Sequence, residues 1–196
     1  MKRSDVKELY YITPIANLLS IMQYGILSNE LSKKLPHESL AMEEIQSKRG
    51  NIQIPGARKL HEYANLYFDA HNPMLSRIRD RNSQICVLCV DPSILDMSDV
   101  IISDQNASSN YVRFYPVKAG LEALNKDTIF ATFWLHPDNQ FEEWAHKSAK
   151  CAEVLVPDKV EPKYILGAYV ANQMALEVFQ QLHIQLTISI KSDIFF

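Results

Sequence analysis

Glu153 is the residue of this chain whose setting most strongly suggests chemistry. It lies in the run Cys151-Ala-Glu-Val-Leu-Val-Pro157, which otherwise has the pattern of a buried β-strand. Because strand side chains alternate between two faces, Glu153 shares its face with Cys151 and Leu155. An unpaired carboxylate against apolar surface is costly, so Glu153 needs a cationic partner, a ligand or solvent. Held against a ligand, it can accept a proton or stabilise a developing positive charge; held in a salt bridge or on an edge strand, it serves structure alone.

Other polar side chains lie at the predicted edges of strands and helices. Tyr11, Thr13 and Asn17 lie at the first strand-to-helix junction, Arg49 lies in a basic loop, and the run 67–74 joins a strand to a helix. Arginine presents a planar fork of donors that suits a phosphate or a nucleobase, and an aromatic ring can stack on a planar ligand. Each residue also has a structural reading: a solvated charge for Arg49, a helix cap for Asn17, and a core position for an aromatic in a strand.

Two further groups of residues carry weaker signals. The arginines at 77, 79 and 81 form either a phosphate-facing strip or an exposed turn of helix. His61, His136 and His146 have no serine or cysteine nucleophile placed with them in a supporting pattern. Gly-rich nucleotide loops and the common hydrolase and zinc-protease signatures are absent.

The pattern of apolar residues predicts the elements that hold these side chains. A strand over 8–12 is followed by a helix capped by Thr13, with Pro14 in its first turn and Gly25 at its end. Residues 28–62 are polar and basic and contain Pro and Gly breakers, so we expect a partly helical, mobile loop region. Asn72 is expected to cap a short helix that begins at Pro73. The further predicted strands cover 63–69, 84–90, 151–157, 163–170 and 184–190, and the further helices cover 116–124, 137–150 and 172–182. Clustered strands with irregularly placed helices favour an α+β domain.

Length and composition fit one soluble globular domain covering residues 1–196, with the loop-rich insertion at about 28–62. Hydrophobic residues make up 47%, charged residues 22%, and the net charge is -3, so any polyanion site must be a local patch. The N-terminus lacks the apolar core of a signal peptide, and no apolar run approaches the roughly 18 residues that span a bilayer. We therefore expect a cytoplasmic protein. Cys86 and Cys89 fall on opposite faces of one strand, and with Cys151 they are predicted to be buried thiols rather than metal ligands.

Several ordered motifs resemble the DarT family of nucleic-acid ADP-ribosyltransferases. The matching runs are Tyr11-Ile-Thr-Pro-Ile-Ala-Asn17-Leu, Tyr24-Gly-Ile-Leu27, His61-Glu-Tyr63, Leu66-Tyr-Phe68, Asn72-Pro-Met-Leu75 and Ala152-Glu-Val-Leu-Val-Pro157. Each motif alone is weak, and their joint order is what makes the resemblance specific. It implies a split mixed β-sheet with flanking helices, a cleft for NAD, one catalytic glutamate, and transfer of ADP-ribose to a base of single-stranded DNA.

The resemblance also implies roles for individual residues. Glu153 corresponds to the catalytic glutamate, and Arg49 to the catalytic arginine, with Arg58 as the alternative. In this family the first motif usually reads His-x-Thr, and those two side chains hold the nicotinamide amide and its ribose. Here Tyr11 replaces the His, so that contact is altered, while Thr13 and Asn17 fit. The residues Tyr67 and Met74 are implied to line the nicotinamide and nucleotide pocket.

The chemistry of such a transfer suits these residue types. Breaking the bond between nicotinamide and ribose develops an oxocarbenium-like cation, as in glycoside hydrolysis. Glu153 can stabilise that cation, accept a hydrogen bond from the ribose 2′-hydroxyl and help remove a proton from the attacking base nitrogen. Arg49 can pair with the dinucleotide phosphates or contact the target base.

The sequence therefore predicts an NAD-dependent DNA ADP-ribosyltransferase that needs no metal. As in the toxin-antitoxin systems that the resemblance implies, we expect a toxin held in check by a macrodomain-type antitoxin that binds or reverses the modification. A single strand is the expected substrate, because a duplex hides the base edge, and the basic region 33–59 is a candidate grip for its backbone. The alternatives are a nucleic-acid or partner-binding module whose transferase site has decayed, and a transferase that acts on RNA or protein.

Overall fold

The computed structural model describes residues 1–196, which form ten strands and eight α-helices joined by short 3-10 turns. The strands are β1 (Leu9–Pro14), β2 (Ile26–Leu27), β3 (Tyr63–Tyr67), β4 (Ile85–Val90), β5 (Ile101–Ser103), β6 (Phe114–Pro116), β7 (Glu153–Pro157), β8 (Lys159–Val160), β9 (Ile165–Val170) and β10 (Ile188–Ile190). The helices are α1 (Leu18–Tyr24), α2 (Asn29–Ser32), α3 (Glu43–Gly50), α4 (Pro73–Arg77), α5 (Val117–Ala123), α6 (Lys126–Ile129), α7 (Gln140–Lys150) and α8 (Gln173–Gln180).

Eight of the strands form one mixed sheet in the order β10-β9-β4-β1-β3-β7-β5-β6, and β2 pairs with β8 in a small second sheet. The β9–β10 pair is parallel, whereas the other ladders are antiparallel. The centre of the large sheet is open: β1 pairs with β4 along its whole length, but it meets β3 only at Tyr10 opposite Tyr67. Beyond that pair β1 and β3 separate. The predicted α+β class and split mixed sheet are confirmed.

The two faces of the sheet carry different clusters of buried side chains. The largest cluster has 28 members and includes Val154 and Val156, together with residues of α1, α5 and α8. Leu155, which lies between those two valines, and Cys151, two residues before Glu153, belong to two smaller clusters on the opposite face. Glu153 lies on that second face, as the alternation of β7 predicts.

Most of the predicted elements are present with shifted ends, and the caps at Asn72 and Gly25 are confirmed. The side chain of Asn72 accepts hydrogen bonds from the backbone of Met74 and Leu75, and Gly25 ends α1 with φ +94°. The region 28–62 is partly helical, as expected, because it contains α2 and α3.

One cap and several short strands were predicted wrongly or missed. Thr13 lies inside β1 rather than at a helix cap, because pairing with β4 continues to Pro14 opposite Ile85. A 3-10 turn then precedes α1. The strands β2, β5, β6 and β8 are two or three residues long and had no recognisable pattern in the sequence.

All three cysteines are free and buried, as predicted. Burial raises the pKa of the Cys151 thiol to about 12 and that of Cys89 to about 12, and it also raises the pKa of Cys86. No group of His, Cys, Asp and Glu side chains is large enough to hold a metal ion. No helix combines the length and the apolar character that crossing a bilayer requires.

These thiols should be almost inert in the folded protein, because the thiolate is the reactive form and little of it is present when the pKa is near 12. We expect Ellman's reagent at pH 8 to label none of the three cysteines within minutes in buffer and all of them in denaturant. Cysteine-to-serine variants would identify any thiol that reacts. Rapid labelling of Cys151 in the native state would contradict the burial described above.

Candidate active site

A cleft opens where β1 and β3 separate. Its volume is about 380 Å³, within the range of roughly 300–1,000 Å³ that is usual for small-molecule sites. One wall comes from β1, another from β3 and α4, and the segment 35–42 runs along the third side. All of the residues that the family resemblance assigned to cofactor binding line this cleft, namely Tyr11, Thr13, Asn17, Tyr67 and Met74.

Glu153 and Arg49 form a buried ion pair next to the cleft. The Nη1 atom of Arg49 donates to Oε1 of Glu153 at 2.9 Å, and Nη2 donates to Oε2 at 2.9 Å. The backbone N–H of Ala107 donates to the same Oε1 at 2.9 Å. Glu153 has no exposed surface, whereas Arg49 also lines the cleft. The structure thus meets the need for a partner that the sequence predicted, and the partner is the proposed catalytic arginine itself.

The register of three strands fixes the position of Glu153. As the first residue of β7, it lies opposite Tyr67 of β3 on one side and Ser103 of β5 on the other. Its backbone N–H donates to the Ser103 hydroxyl at 3.1 Å. The carboxylate is therefore held at the end of a strand in the middle of the sheet, where backbone motion is small.

Helix α3 brings Arg49 to this carboxylate. Arg49 lies in its last turn and is only 9% exposed, so it is neither in the expected loop nor the solvated charge of the structural alternative. The helix is anchored by Gln46, whose side-chain oxygen lies 3.1 Å from Nε2 of His61. Gly50 permits this approach, because a Cβ there would lie 3.0 Å from the His61 ring.

Electrostatics around the pair favour a charged arginine and neutral tyrosines. Burial alone lowers the pKa of Arg49, but the charge and hydrogen bonds of Glu153 outweigh it and leave the pKa above its ordinary value. Burial, with added repulsion from Glu153, raises the pKa of Tyr67 well above its ordinary value, and burial raises the pKa of Tyr11. Both phenols therefore keep their O–H donors at neutral pH.

Asn17 performs a role that the sequence did not suggest. Its Nδ2 atom donates to the backbone oxygen of Glu38 at 2.8 Å, and its Oδ1 atom accepts from the backbone N–H of Glu38 at 2.9 Å. The Glu38 carboxylate forms an ion pair with Arg81. Asn17 thus fixes the segment 35–42 against the cleft, and its amide is engaged by the chain rather than directed at a ligand.

Among the other candidate residues, only Arg77 lines the cleft. Arg58, the alternative catalytic arginine, pairs with the exposed Asp158 at 2.9 Å and does not line the cleft. Arg77 lines it, whereas Arg79 does not. His136 and His146 hydrogen bond to each other at 2.9 Å, outside the cleft.

Sequence reasoning missed a second buried ion pair near Glu153. Lys150, at the end of α7, is fully buried and donates to Oδ2 of Asp69 at 2.5 Å and to the backbone oxygen of Ile129 at 3.0 Å. Its ammonium also lies 5.8 Å from the centre of the Trp134 ring. Lys150 thereby ties the helix that leads into β7 to the turn that follows β3. No local pattern in the sequence distinguishes it from a surface lysine.

The fold is that of solved DarT structures. The Thermosipho africanus DarTG structure in complex with ADP-ribose superposes with a TM-score of 0.82 at 27% identity, over 97% of this chain and 51% of that one. The Thermus sp. 2.9 DarT structure in complex with ADP-ribosylated ssDNA gives a TM-score of 0.80 at 24% identity, over 98% and 97% of the two chains.

Sequence comparison leads to the same family. Residues 10–196 match the family described as DarT, ssDNA thymidine ADP-ribosyltransferase, and the chain belongs to that family. A DNA ADP-ribosyl transferase-DNA ADP-ribosyl glycohydrolase fusion protein of Thermosipho africanus is 32% identical over 178 residues, which are 85% of this chain and 43% of the relative. A DNA ADP-ribosyl transferase of Thermus aquaticus is 29% identical over 76% of this chain and 68% of the relative. The chain therefore spans less than half the length of the fusion protein. The family prediction from the sequence motifs is confirmed.

Proposed function

We propose that this protein transfers ADP-ribose from NAD to a base of single-stranded DNA. The observation that carries the proposal is the Arg49–Glu153 pair, which borders a cleft lined by Tyr11, Thr13 and Tyr67. Family membership supports it, and the family description names thymidine, so we take a thymine base as the acceptor. Residues 1–196 act as a single transferase domain in this proposal, with 28–62 as its insertion.

The reaction replaces one bond to the ribose with another. The bond between the ribose C1′ and the nicotinamide nitrogen breaks, and nicotinamide leaves with the bonding electrons. Positive charge then develops on C1′ and the ring oxygen, and a thymine nitrogen attacks C1′. The nitrogen proton passes to a carboxylate oxygen of Glu153, whose negative charge stabilises the cation before that step. Nicotinamide packs against Tyr67 and Met74. Its amide and the ribose bonded to it are held by Tyr11 and Thr13.

Arg49 controls access to Glu153 in this scheme. Both carboxylate oxygens are bonded to its guanidinium, and the carboxylate has no exposed surface. Because the carboxylate has no exposed surface, substrate binding must move Arg49, and in this scheme one of the two bonds is released before Glu153 accepts from the ribose 2′-hydroxyl. The bond that remains keeps the carboxylate oriented, and the freed Arg49 donor faces the cleft, where it can hold a carbonyl oxygen of the base.

One relative supports a proposal about the biological setting. The Thermosipho africanus relative joins a DNA ADP-ribosyl transferase to a DNA ADP-ribosyl glycohydrolase in one chain. We therefore propose that this protein is a cytoplasmic toxin and that a macrodomain-type antitoxin with glycohydrolase activity reverses its modification. The basic region 33–59 within the insertion is the proposed grip on the DNA backbone.

The proposal is tested by incubating the purified protein with NAD and synthetic oligonucleotides and measuring added mass and free nicotinamide. We expect an ADP-ribose adduct on a single-stranded DNA that contains thymidine, and none on the same strand without thymidine or in a duplex. An adduct on RNA or on the protein instead would favour the other transferase alternatives. Neither adduct nor nicotinamide, with NAD still bound, would favour a binding module with a decayed site.

A further inference from the structure

We propose that Arg77 is the residue of the cleft that binds the pyrophosphate of the dinucleotide. This inference rests on the proposed function, since it assigns a part of the NAD molecule to a residue that the motifs did not implicate. NAD carries its two negative charges on the pyrophosphate between the two ribose rings. A cleft that binds it in water gains affinity and orientation from a cation placed beside those oxygens.

Among the cleft residues, only Arg77 offers an uncommitted cation. The cleft is lined by two arginines, Arg49 and Arg77, and by no lysine. Arg49 gives both of its terminal nitrogens to Glu153. The one acidic residue on the wall, Glu38, is already paired with Arg81. Arg77 forms neither an ion pair nor a side-chain hydrogen bond, so its five donors are available to a ligand.

The geometry of α4 directs Arg77 to the cleft. The cleft is lined by Pro73, Met74, Arg77 and Ile78. The last three follow Pro73 by one, four and five residues, a spacing that places all four on one side of a helix. Leu75, off that side, is fully buried in the core. Arg77 therefore shares a wall with Met74, one of the residues assigned to the nucleotide pocket.

The start of α4 is firmly held, which reduces the entropy lost when Arg77 binds a ligand. Asn72 is fully buried, accepts from the N–H groups of Met74 and Leu75, and donates to the backbone oxygen of Asp69 at 2.8 Å. Arg79, two residues beyond Arg77, lies off the cleft, and its Nη1 atom is 3.4 Å from the backbone oxygen of Ser76. The chain thus provides a matched control: two exposed arginines of one short segment, of which one lines the cleft.

The test compares Arg77→Met with Arg79→Met. Isothermal calorimetry measures the affinity for ADP-ribose, and fluorescence anisotropy measures the affinity for a single-stranded oligonucleotide that contains thymidine. We expect Arg77→Met to weaken ADP-ribose binding by roughly tenfold to a hundredfold, the usual effect of losing a hydrogen bond to a charged group, with DNA affinity changed less than threefold. Arg79→Met should match the wild type in both assays. Arg77→Lys should recover part of the ADP-ribose affinity, because it restores the charge without the planar fork.

Three results would overturn the inference, and they differ in what else they affect. Unchanged ADP-ribose affinity in Arg77→Met, with wild-type binding intact, removes the pyrophosphate role and leaves the proposed function standing. Loss of DNA affinity alone would show that Arg77 contacts a phosphate of the DNA backbone instead. A wild-type protein that binds neither ADP-ribose nor NAD would remove the proposed function together with this inference.

Discussion

Glu153→Gln is expected to lower the rate of ADP-ribose transfer by about a thousandfold while NAD still binds. The substitution keeps the size of the side chain and one acceptor for Arg49, but it removes the negative charge that stabilises the ribosyl cation and the base that takes the proton. The measurement is the initial rate of nicotinamide release and oligonucleotide modification. Calorimetry with ADP-ribose should show that the cleft remains intact.

The same variant separates a catalytic role from a structural one. Glu153 is buried and bonded to Arg49, so its replacement also destabilises the fold, and activity must be expressed per folded molecule. Glu143→Gln, at a partly exposed acid on α7 paired with Lys147 at 2.6 Å, is the matched control and should retain full activity. A Glu153→Gln protein that is less stable but still transfers ADP-ribose at the wild-type rate would mean that the ion pair serves structure alone.

Lys150→Met is expected to lower the free energy of unfolding by about 3–5 kcal/mol. The substitution leaves the Asp69 carboxylate without its cation, and the Asp69 side chain is only 19% exposed. Chemical denaturation monitored by tryptophan fluorescence gives the free energy. Lys147→Met on the same helix removes only a partly exposed pair with Glu143 and should cost less than about 1 kcal/mol.

A second substitution tests the mechanism of this loss. If the uncompensated carboxylate is the cause, Asp69→Asn combined with Lys150→Met should be more stable than the sum of the two single effects predicts. Additive losses would show that Lys150 acts through its contacts with Ile129 and Trp134 and not through the ion pair.

Local features of the fold were predictable because neighbouring residues determine them. Asn72 before Pro73 caps α4, and Gly25 ends α1, through contacts that span only a few residues. The alternation in β7 likewise placed Glu153 on the face of Cys151 and Leu155. The ordered motifs added the family, and with it the split sheet and the residues that line the cleft.

The arrangement of the site was not predictable, because it depends on contacts between distant parts of the chain. Arg49 and Glu153 are separated by 104 positions, and Lys150 and Asp69 by 81. Nothing local to Arg49 distinguishes it from Arg58, and only the packing of α3 brings it to β7. The extension of β1 through Thr13 has the same origin, since pairing with β4 outweighs the local preference for a cap.

A crystal structure with carba-NAD, the analogue present in a Thermus sp. 2.9 DarT structure, tests the mechanism most directly. The account predicts that one Glu153 oxygen lies within hydrogen-bonding distance of a hydroxyl of the nicotinamide ribose, while Arg49 keeps its bond to the other oxygen. A dinucleotide seated in the cleft with both Arg49–Glu153 bonds unchanged, and with no atom of Glu153 in contact with it, would contradict the central role assigned to this pair.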